Sequence, residues 1–307
     1  MAESRPVFRD EATVLAFKLA AAMARTTPAP LLEASVPGLG LVFGRTMRDE
    51  RRTVERHQRR ARDPRISFLA LKRATHDAFE SYARYWIESF RISSLSDAEI
   101  RRHFTLEGWE YVEAGLSAGG GVVVSLPHLG NWEWAGRWLA AKGIPLTVVV
   151  EPVEPPELFE WFRDLRTKFG MTVVPLGPAV TSSVMKALKQ NEVVCLMSDR
   201  DITGDGQRVS FFNEVTTLPA GPATLALRTG APLIPVGAYM GPKGSHHALI
   251  RPPIDCTRSG EGLRADVARV TQVLAHELEA LIRRAPEQWH LFQPNWPSDP
   301  GYRFAST

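Results

Sequence analysis

Cysteine is scarce in this sequence. Cys195 and Cys256 are the only two, which excludes a disulfide framework as the source of stability. Cys195 sits inside the apolar run Val193–Met197, where a buried, inert thiol is the ordinary outcome. This usage fits a reducing cytoplasm. Long hydrophobic runs are missing as well. No stretch approaches the ~20 uninterrupted apolar residues that cross a bilayer, so a spanning helix is not expected. There is no C-x-x-C, and none of the eight histidines forms a His-x3-His pair, so the usual sequence signature of a zinc site is lacking. The G-x-S-x-G elbow of serine hydrolases, the Walker loop and the dinucleotide-binding glycine pattern are likewise absent. Internal repeats and low-complexity tracts are not found.

What is present describes an ordinary globular chain. With 307 residues, 44% hydrophobic and 23% charged, it is long enough to bury a substantial core. The net charge is only +3, but the charges are unevenly placed. Eleven Lys or Arg residues lie between Arg45 and Arg73, against four acids. Such a run suits an anionic partner, either phospholipid headgroups or nucleic acid, and it also suits a solvated, salt-bridged helix face. At the N-terminus, Ala12–Ala24 is mostly apolar and ends in Ala22-Met23-Ala24, a sequence compatible with signal-peptidase cleavage. Lys18 interrupts that run, and Asp10-Glu11 stand where a signal peptide carries positive charge. An interfacial helix carrying Lys18 and Arg25 therefore fits better, followed by an apolar loop over Val36–Phe43.

Apolar spacing predicts helices over 11–25, 45–62, 66–91 and 96–117, with Phe68, Leu69, Ala83, Trp86, Ile87 and Phe90 as a buried stripe of the third. From Gly119 the pattern changes to short Val-rich runs alternating with helical stretches. Strands are expected at 122–126, 146–150, 171–175, 193–197, 233–237 and 247–251. The helices between and after them fall near 131–142, 155–169, 181–190, 219–229 and 263–285. This is an α/β chain: a mainly parallel central sheet flanked by helices, with a helical N-terminal region. We expect one domain over 1–307, helical over 1–117 and α/β over 118–307. Ligands of such sheets bind beyond the carboxyl ends of the strands.

The strand at Val122–Leu126 leads directly into Pro127-His128-Leu129-Gly130-Asn131-Trp132-Glu133. An imidazole just past a strand end can take a proton from an alcohol, and a free imidazole titrates near ~6.5, close to working pH. Glu133, five residues later in the first helical turn, is near enough to orient the ring, or else serves only the helix dipole. Free N–H groups at that helix start suit a developing oxyanion. A second polar cluster, Ser198-Asp199-Arg200-Asp201, ends the strand at Val193–Met197. Asp199 is a candidate partner for the other ring nitrogen of His128, and Arg200 suits a phosphate or an acidic headgroup. A self-satisfied ion pair is the alternative. Phe211-Phe212-Asn213 and the following Leu218–Ala223 suggest an apolar loop and a helix start.

Four blocks together carry a resemblance: PHLGNWEWAG (127–136), SDRDIT (198–203), LPAGPATLALRTG (218–230) and QWHLFQPNWPSD (288–299). They resemble the lipid A lauroyl/myristoyl acyltransferase group, and within it the mycobacterial-type phosphatidylinositol mannoside acyltransferases, of the wider His-x4-Asp/Glu class. The resemblance implies transfer of a fatty acyl chain, typically palmitoyl, from acyl-CoA to the 6-hydroxyl of the mannose on inositol position 2. It implies peripheral attachment to an anionic membrane surface at the cytoplasmic face of the cell membrane, with no nucleic acid partner, no metal and no cofactor beyond the acyl-CoA donor. By motif, His128 takes the base role, Glu133 is the partner carboxylate and Asp199 matches an acidic relay position where the family also carries Glu. Arg166 matches an arginine of the family's second block, and Arg228, Glu151 and Arg200 become substrate-binding candidates. A sibling enzyme acting on a lipid A precursor and a non-catalytic lipid-binding protein are the competing readings.

Overall fold

The structure is a computed structural model in which residues 7–302 are described. The described residues begin with four helices: α1 (Val7–Thr26), α2 (Ala29–Thr46), α3 (Arg48–Ala61) and α4 (Phe68–Arg91). Next come the short α5 (Asp97–Arg102), β1 (Phe104–Glu107) and α6 (Trp109–Ser117). The remainder alternates: β2 (Val122–Leu126), α7 (Trp132–Ala141), β3 (Leu146–Val150), α8 (Pro156–Lys168), β4 (Met171–Pro175), α9 (Val180–Lys189) and β5 (Val193–Met197). A hairpin of β6 (Gln207–Phe211) and β7 (Glu214–Leu218) precedes α10 (Gly221–Thr229), β8 (Leu233–Met240), β9 (His246–Ile250) and α11 (Leu263–Arg284).

The seven strands outside the hairpin form one sheet in the order β1-β9-β8-β2-β5-β3-β4. Pairing is parallel except between β8 and β9. The α/β architecture and parallel sheet expected from the Val-rich runs are thus present. All five residues of β2 are buried, as a strand covered on both faces requires. One face is covered by α5, α6 and α7 through Ile100, Val112, Trp134 and Trp138. The other is covered by α9, α10 and α11, whose Leu188, Leu225, Leu274 and Leu278 pack on Val123, Val194 and Leu233. The chain leaves β2 toward β3 and β4, returns to fill the gap with β5, then crosses β2 to place β8 on its far side. The carboxyl ends of β2 and β5 therefore flank the point where strand order reverses, where open α/β sheets bind ligands.

Four local expectations need correction. The predicted helix 96–117 is split by β1, which pairs with β9 and makes the helical part contribute an edge strand. Val36–Phe43 is not a loop but part of α2, with Pro37 inside the helix. An internal proline removes a hydrogen bond, yet here tight packing outweighs it. A Cβ added to Gly40 would lie 2.7 Å from Glu80 Cα, so only glycine lets α2 approach α4 this closely. Phe68 and Leu69, expected to be buried, are 67% and 77% exposed on the first turn of α4. The buried stripe instead starts at Leu71 and continues through Ala78, Phe79 and Ala83. The stretch around Phe211–Asn213 is the turn of the β6–β7 hairpin, with positive φ at both Phe212 and Asn213 as a two-residue hairpin turn demands.

Candidate active site

Strand register assembles the centre of the site. Leu126 of β2 pairs with Met197 of β5 in parallel, so the residues two positions beyond each, His128 and Asp199, emerge side by side. His128 Nδ1 lies 2.7 Å from Asp199 Oδ1, and the His128 main-chain N–H donates to Asp199 Oδ2 at 3.0 Å. Because an ionised carboxylate can only accept, Nδ1 carries the proton of the neutral ring and Nε2 presents a lone pair. Among the described residues Nε2 has no hydrogen-bond partner, and the ring is about one-quarter exposed. The Asp199 side chain is fully buried. Burial opposes its ionisation. The charge and ring N–H of His128, the Trp289 indole N–H and the His128 main-chain N–H outweigh that penalty and hold the carboxyl below its ordinary range.

The loop carrying His128 is tied down on both sides. Gly130 has φ +60°, and a Cβ there would fall 2.0 Å from the Ala238 carbonyl oxygen, so the close approach to β8 needs glycine. Its N–H donates to Gln288 O at 2.8 Å, and the His290 N–H donates to His128 O at 2.7 Å. Leu129 and Trp289 form an antiparallel bridge. The C-terminal segment therefore pairs like a short strand with the histidine loop. It also reaches Asp199: Trp289 Nε1 donates to Oδ2 at 2.8 Å, and Asn295 Nδ2 donates to the Asp199 carbonyl oxygen at 2.9 Å.

Glu133 makes no hydrogen bond to the imidazole in this structure. Asn131 is the N-cap of α7, which puts Glu133 at the second helical position. Its carboxylate turns toward α8, where Arg166 Nε donates to Oε2 at 3.1 Å and Nη2 donates to Oε1. Burial opposes the Arg166 charge, but Glu133 outweighs it, and the guanidinium pKa is raised. Tyr85, buried nearby, is kept neutral first by desolvation and then by the charge of Glu133. The other candidates divide. Arg200 donates to Glu151 at 3.1 Å, and both line the cavity described below. Asp201 also lines the cavity, and its carboxylate accepts from the N–H groups of Gly204 and Gly206 and from the Thr217 hydroxyl. Arg228 lies exposed in the last turn of α10 and is not among the cavity residues, so the structure does not bring it into this group.

A cavity of about 540 Å³ opens beside His128. Every strand of the seven-stranded sheet contributes to its wall, from Phe104 and Ala248 near one edge, through Val124 and Cys195, to Val148 and Met171. Trp109, Val112, Trp138 and Leu139 close it from the helical side. The lining is mostly apolar, with His128, Glu133, Arg166, Glu151, Arg200 and Asp201 as its charged or basic groups and Tyr85 and Cys195 beside them. Cys195 faces this space, but burial pushes its thiol up to about 12, and Cys256 is raised to about 11, chiefly by burial. Neither is a thiolate near neutral pH. Among the described residues no group of three or more His, Cys, Asp or Glu is placed to hold a metal ion.

Several contributors escaped the sequence reading: Trp289, Asn295, Gln288 and Tyr85. The block 288–299 was visible as a motif, but nothing local indicates which side chain reaches Asp199. The basic run divides in a way its composition hides. Arg60 donates to Glu214 and Asp299 and lies over the Trp296 ring, while Arg62 pairs with Glu287. These inward residues tie α3 to the C-terminal segment. Arg45, Arg48 and Arg52 stay exposed at the α2–α3 junction. On α1, Leu15, Leu19 and Met23 are exposed at four-residue spacing while Ala21 and Ala24 are buried. No helix among the described residues is long and apolar enough to cross a membrane.

The sequence profile described as bacterial lipid A biosynthesis acyltransferase matches residues 10–298. A protein named phosphatidylinositol mannoside acyltransferase from Mycobacterium tuberculosis (strain CDC 1551 / Oshkosh) is 40% identical over 227 residues, covering 72% of this chain and 70% of that protein. Its namesake from Mycolicibacterium smegmatis is 39% identical over 222 residues, 71% of each chain. A lipid A biosynthesis acyltransferase from Haemophilus influenzae is 21% identical over 201 residues, 64% of this chain and 60% of that one.

Proposed function

The chain belongs to the bacterial lipid A biosynthesis acyltransferase family, and from that premise we propose that it moves a fatty acyl chain from acyl-CoA to a mannose hydroxyl of a phosphatidylinositol mannoside. The names of its 39–40% identical relatives support the acceptor class. The observation that carries the reading is the free Nε2 of His128, backed by Asp199, at the wall of an apolar cavity. A non-catalytic lipid-binding protein has no need of such a pair.

In this reading the acceptor hydroxyl gives its proton to His128 Nε2 as its oxygen attacks the thioester carbonyl. Asp199 stabilises the resulting imidazolium. The oxyanion forms near the start of α7, whose first N–H groups have no intrahelical partner. Collapse of the tetrahedral intermediate breaks the carbon–sulfur bond, and the departing thiolate takes the proton back from His128. A thioester is already activated, so the reaction needs neither an acyl-enzyme nor a further cofactor. The acyl chain lies in the apolar cavity, where each buried methylene contributes roughly 0.8 kcal/mol. Palmitoyl is the proposed chain and the 6-hydroxyl of the mannose on inositol position 2 the proposed acceptor. Arg166, Arg200, Glu151 and Glu133 supply the polar surroundings for the acceptor headgroup.

The same reading makes the protein peripheral, at the cytoplasmic face of the cell membrane. Leu15, Leu19 and Met23 of α1 and Leu31, Leu41 and Val42 of α2 supply exposed apolar surface. Arg45, Arg48 and Arg52 supply charge for an anionic leaflet.

The test is release of free thiol from palmitoyl-CoA, with and without phosphatidylinositol mannoside, by the wild type and His128→Ala. Acceptor-stimulated release in the wild type, reduced about a thousandfold in the variant, is the expected result. Equal release by the two proteins would overturn the base assignment. Stimulation by a lipid A precursor in place of the mannoside would overturn the acceptor.

A further inference from the structure

The Trp289 indole touches Asp199 from behind, and its task there rests on the reading of His128 as the base. Asp199 has two carboxylate oxygens with different tasks. Oδ1 receives the ring N–H of His128, at 2.7 Å. Oδ2 receives two other donors, the His128 main-chain N–H at 3.0 Å and Trp289 Nε1 at 2.8 Å. A carboxylate held by two donors on one oxygen cannot rotate without breaking both. Its remaining oxygen is thereby aimed at the imidazole.

Trp289 itself has no freedom to leave. It is 1% exposed. Its ring stacks on His57 at 5.1 Å and packs against Phe212 at 5.4 Å. Its backbone bridges Leu129, the residue next to the histidine. Behind it, His57 Nδ1 donates to the Leu291 carbonyl oxygen, and Arg60 and His57 both meet Asp299. The indole is thus the inner end of a rigid stack that runs from α3 to the reacting pair.

We propose that Trp289 is a positioning residue: its N–H pins Oδ2 of Asp199, aims Oδ1 at His128 and sets the pH range over which His128 serves as base. The electrostatics around the ring leave this task to Asp199. His290 on the C-terminal segment is kept neutral by burial and by the nearby His128 charge, its pKa lowered to about 3. Tyr85 from α4 is neutral through burial. Glu133 of α7 and Arg166 of α8 cancel as a pair, as do Glu151 and Arg200 at the strand ends, and Asp201 beyond β5 is held by the Gly204 and Gly206 N–H groups and the Thr217 hydroxyl. Removing one N–H from Oδ2 concentrates the carboxylate charge on the imidazolium, and the acid limb of the rate profile moves to higher pH.

The experiment compares Trp289→Phe with Trp296→Phe. Trp296 is an equally buried indole of the same segment, but its Nε1 donates to Phe211 O at 3.1 Å and does not touch the pair. Acceptor-dependent thiol release from palmitoyl-CoA is followed from pH 5 to 9. For Trp289→Phe the acid limb of kcat moves up by about one pH unit, while KM for the donor stays within about twofold. Trp296→Phe lowers the melting temperature and leaves the limb in place. An unmoved limb in Trp289→Phe, or equal movement in both variants, would overturn the proposal. A second measurement uses the wild type alone. Of the eight tryptophans, the Trp289 indole N–H resonance, and not that of Trp296, shifts in NMR titrations across the pH range of the acid limb; no such shift would also overturn it. Because the indole titration needs no turnover, failure of the proposed reaction and failure of this inference give different results.

Discussion

Two carboxylate-centred pairs flank the cavity, and they are built for opposite ends. Asp199 with His128 lies at the carboxyl ends of β2 and β5, where a fully buried acid leaves one nitrogen of its partner free toward the cavity. Glu133 with Arg166 lies between α7 and α8, where a two-point contact uses both groups on each other. The first pair is incomplete in a way that permits proton transfer. The second is closed and joins two helices over the cavity wall. The difference shows that nearness in sequence is a poor guide to contact here. Glu133 is five residues from His128, yet the acid that touches the ring is 71 residues away.

The comparison can be broken by removing one charge at a time. The largest effect is expected from Asp199→Asn, which retains shape but loses the charge proposed to stabilise the imidazolium. We expect kcat to fall about a thousandfold with KM little changed. Next is Asp299→Asn, which disturbs the support behind Asp199 rather than the pair itself. Burial opposes ionisation of Asp299, but His57, the Asn295 N–H and Arg60 together hold its carboxyl well below the usual range. A depressed acid stabilises the fold above its unfolded value near ~3.9 and loses that contribution as pH falls toward the folded value. Asp299→Asn should therefore cost about 3 kcal/mol at neutral pH, with the gap to wild type closing below about pH 4 in chemical denaturation.

The closed pair behaves differently. Arg166→Met alone leaves Glu133 buried and unpaired and should cost about 2 kcal/mol, while Glu133→Leu combined with Arg166→Met recovers most of it. A double variant as unstable as the single one would mean that the two residues act separately. The smallest effect on the fold belongs to the outward arginines. Arg48→Ala with Arg52→Ala should change stability by less than about 0.5 kcal/mol but weaken binding to anionic vesicles about tenfold or more.

Much of this molecule is legible in its sequence because several strands are continuous Val-rich runs. The strands β2, β3, β4 and β5 fall on the expected residues, since burial on both faces leaves no other use for such runs. Elements that owe their form to distant partners are not legible. Phe104–Glu107 continues a helical spacing and becomes a strand only because β9 offers an edge. The helix around Pro37 packs on α4 at Gly40, where a Cβ would meet the Glu80 backbone. At the site, the position of His128 after a strand is a local signal, and so is the acid that ends β5. Their pairing depends on the β2–β5 register, and the contribution of Trp289 crosses 90 residues of chain. No spacing rule reaches that far.

The most direct test places the two pairs side by side. Acceptor-dependent thiol release from palmitoyl-CoA is measured for Asp199→Asn and Glu133→Gln over pH 5 to 9, on protein shown to be folded. The account predicts a loss of about a thousandfold in Asp199→Asn, and less than about tenfold in Glu133→Gln with the wild-type pH profile. Equal losses, or the greater loss in Glu133→Gln, would contradict it.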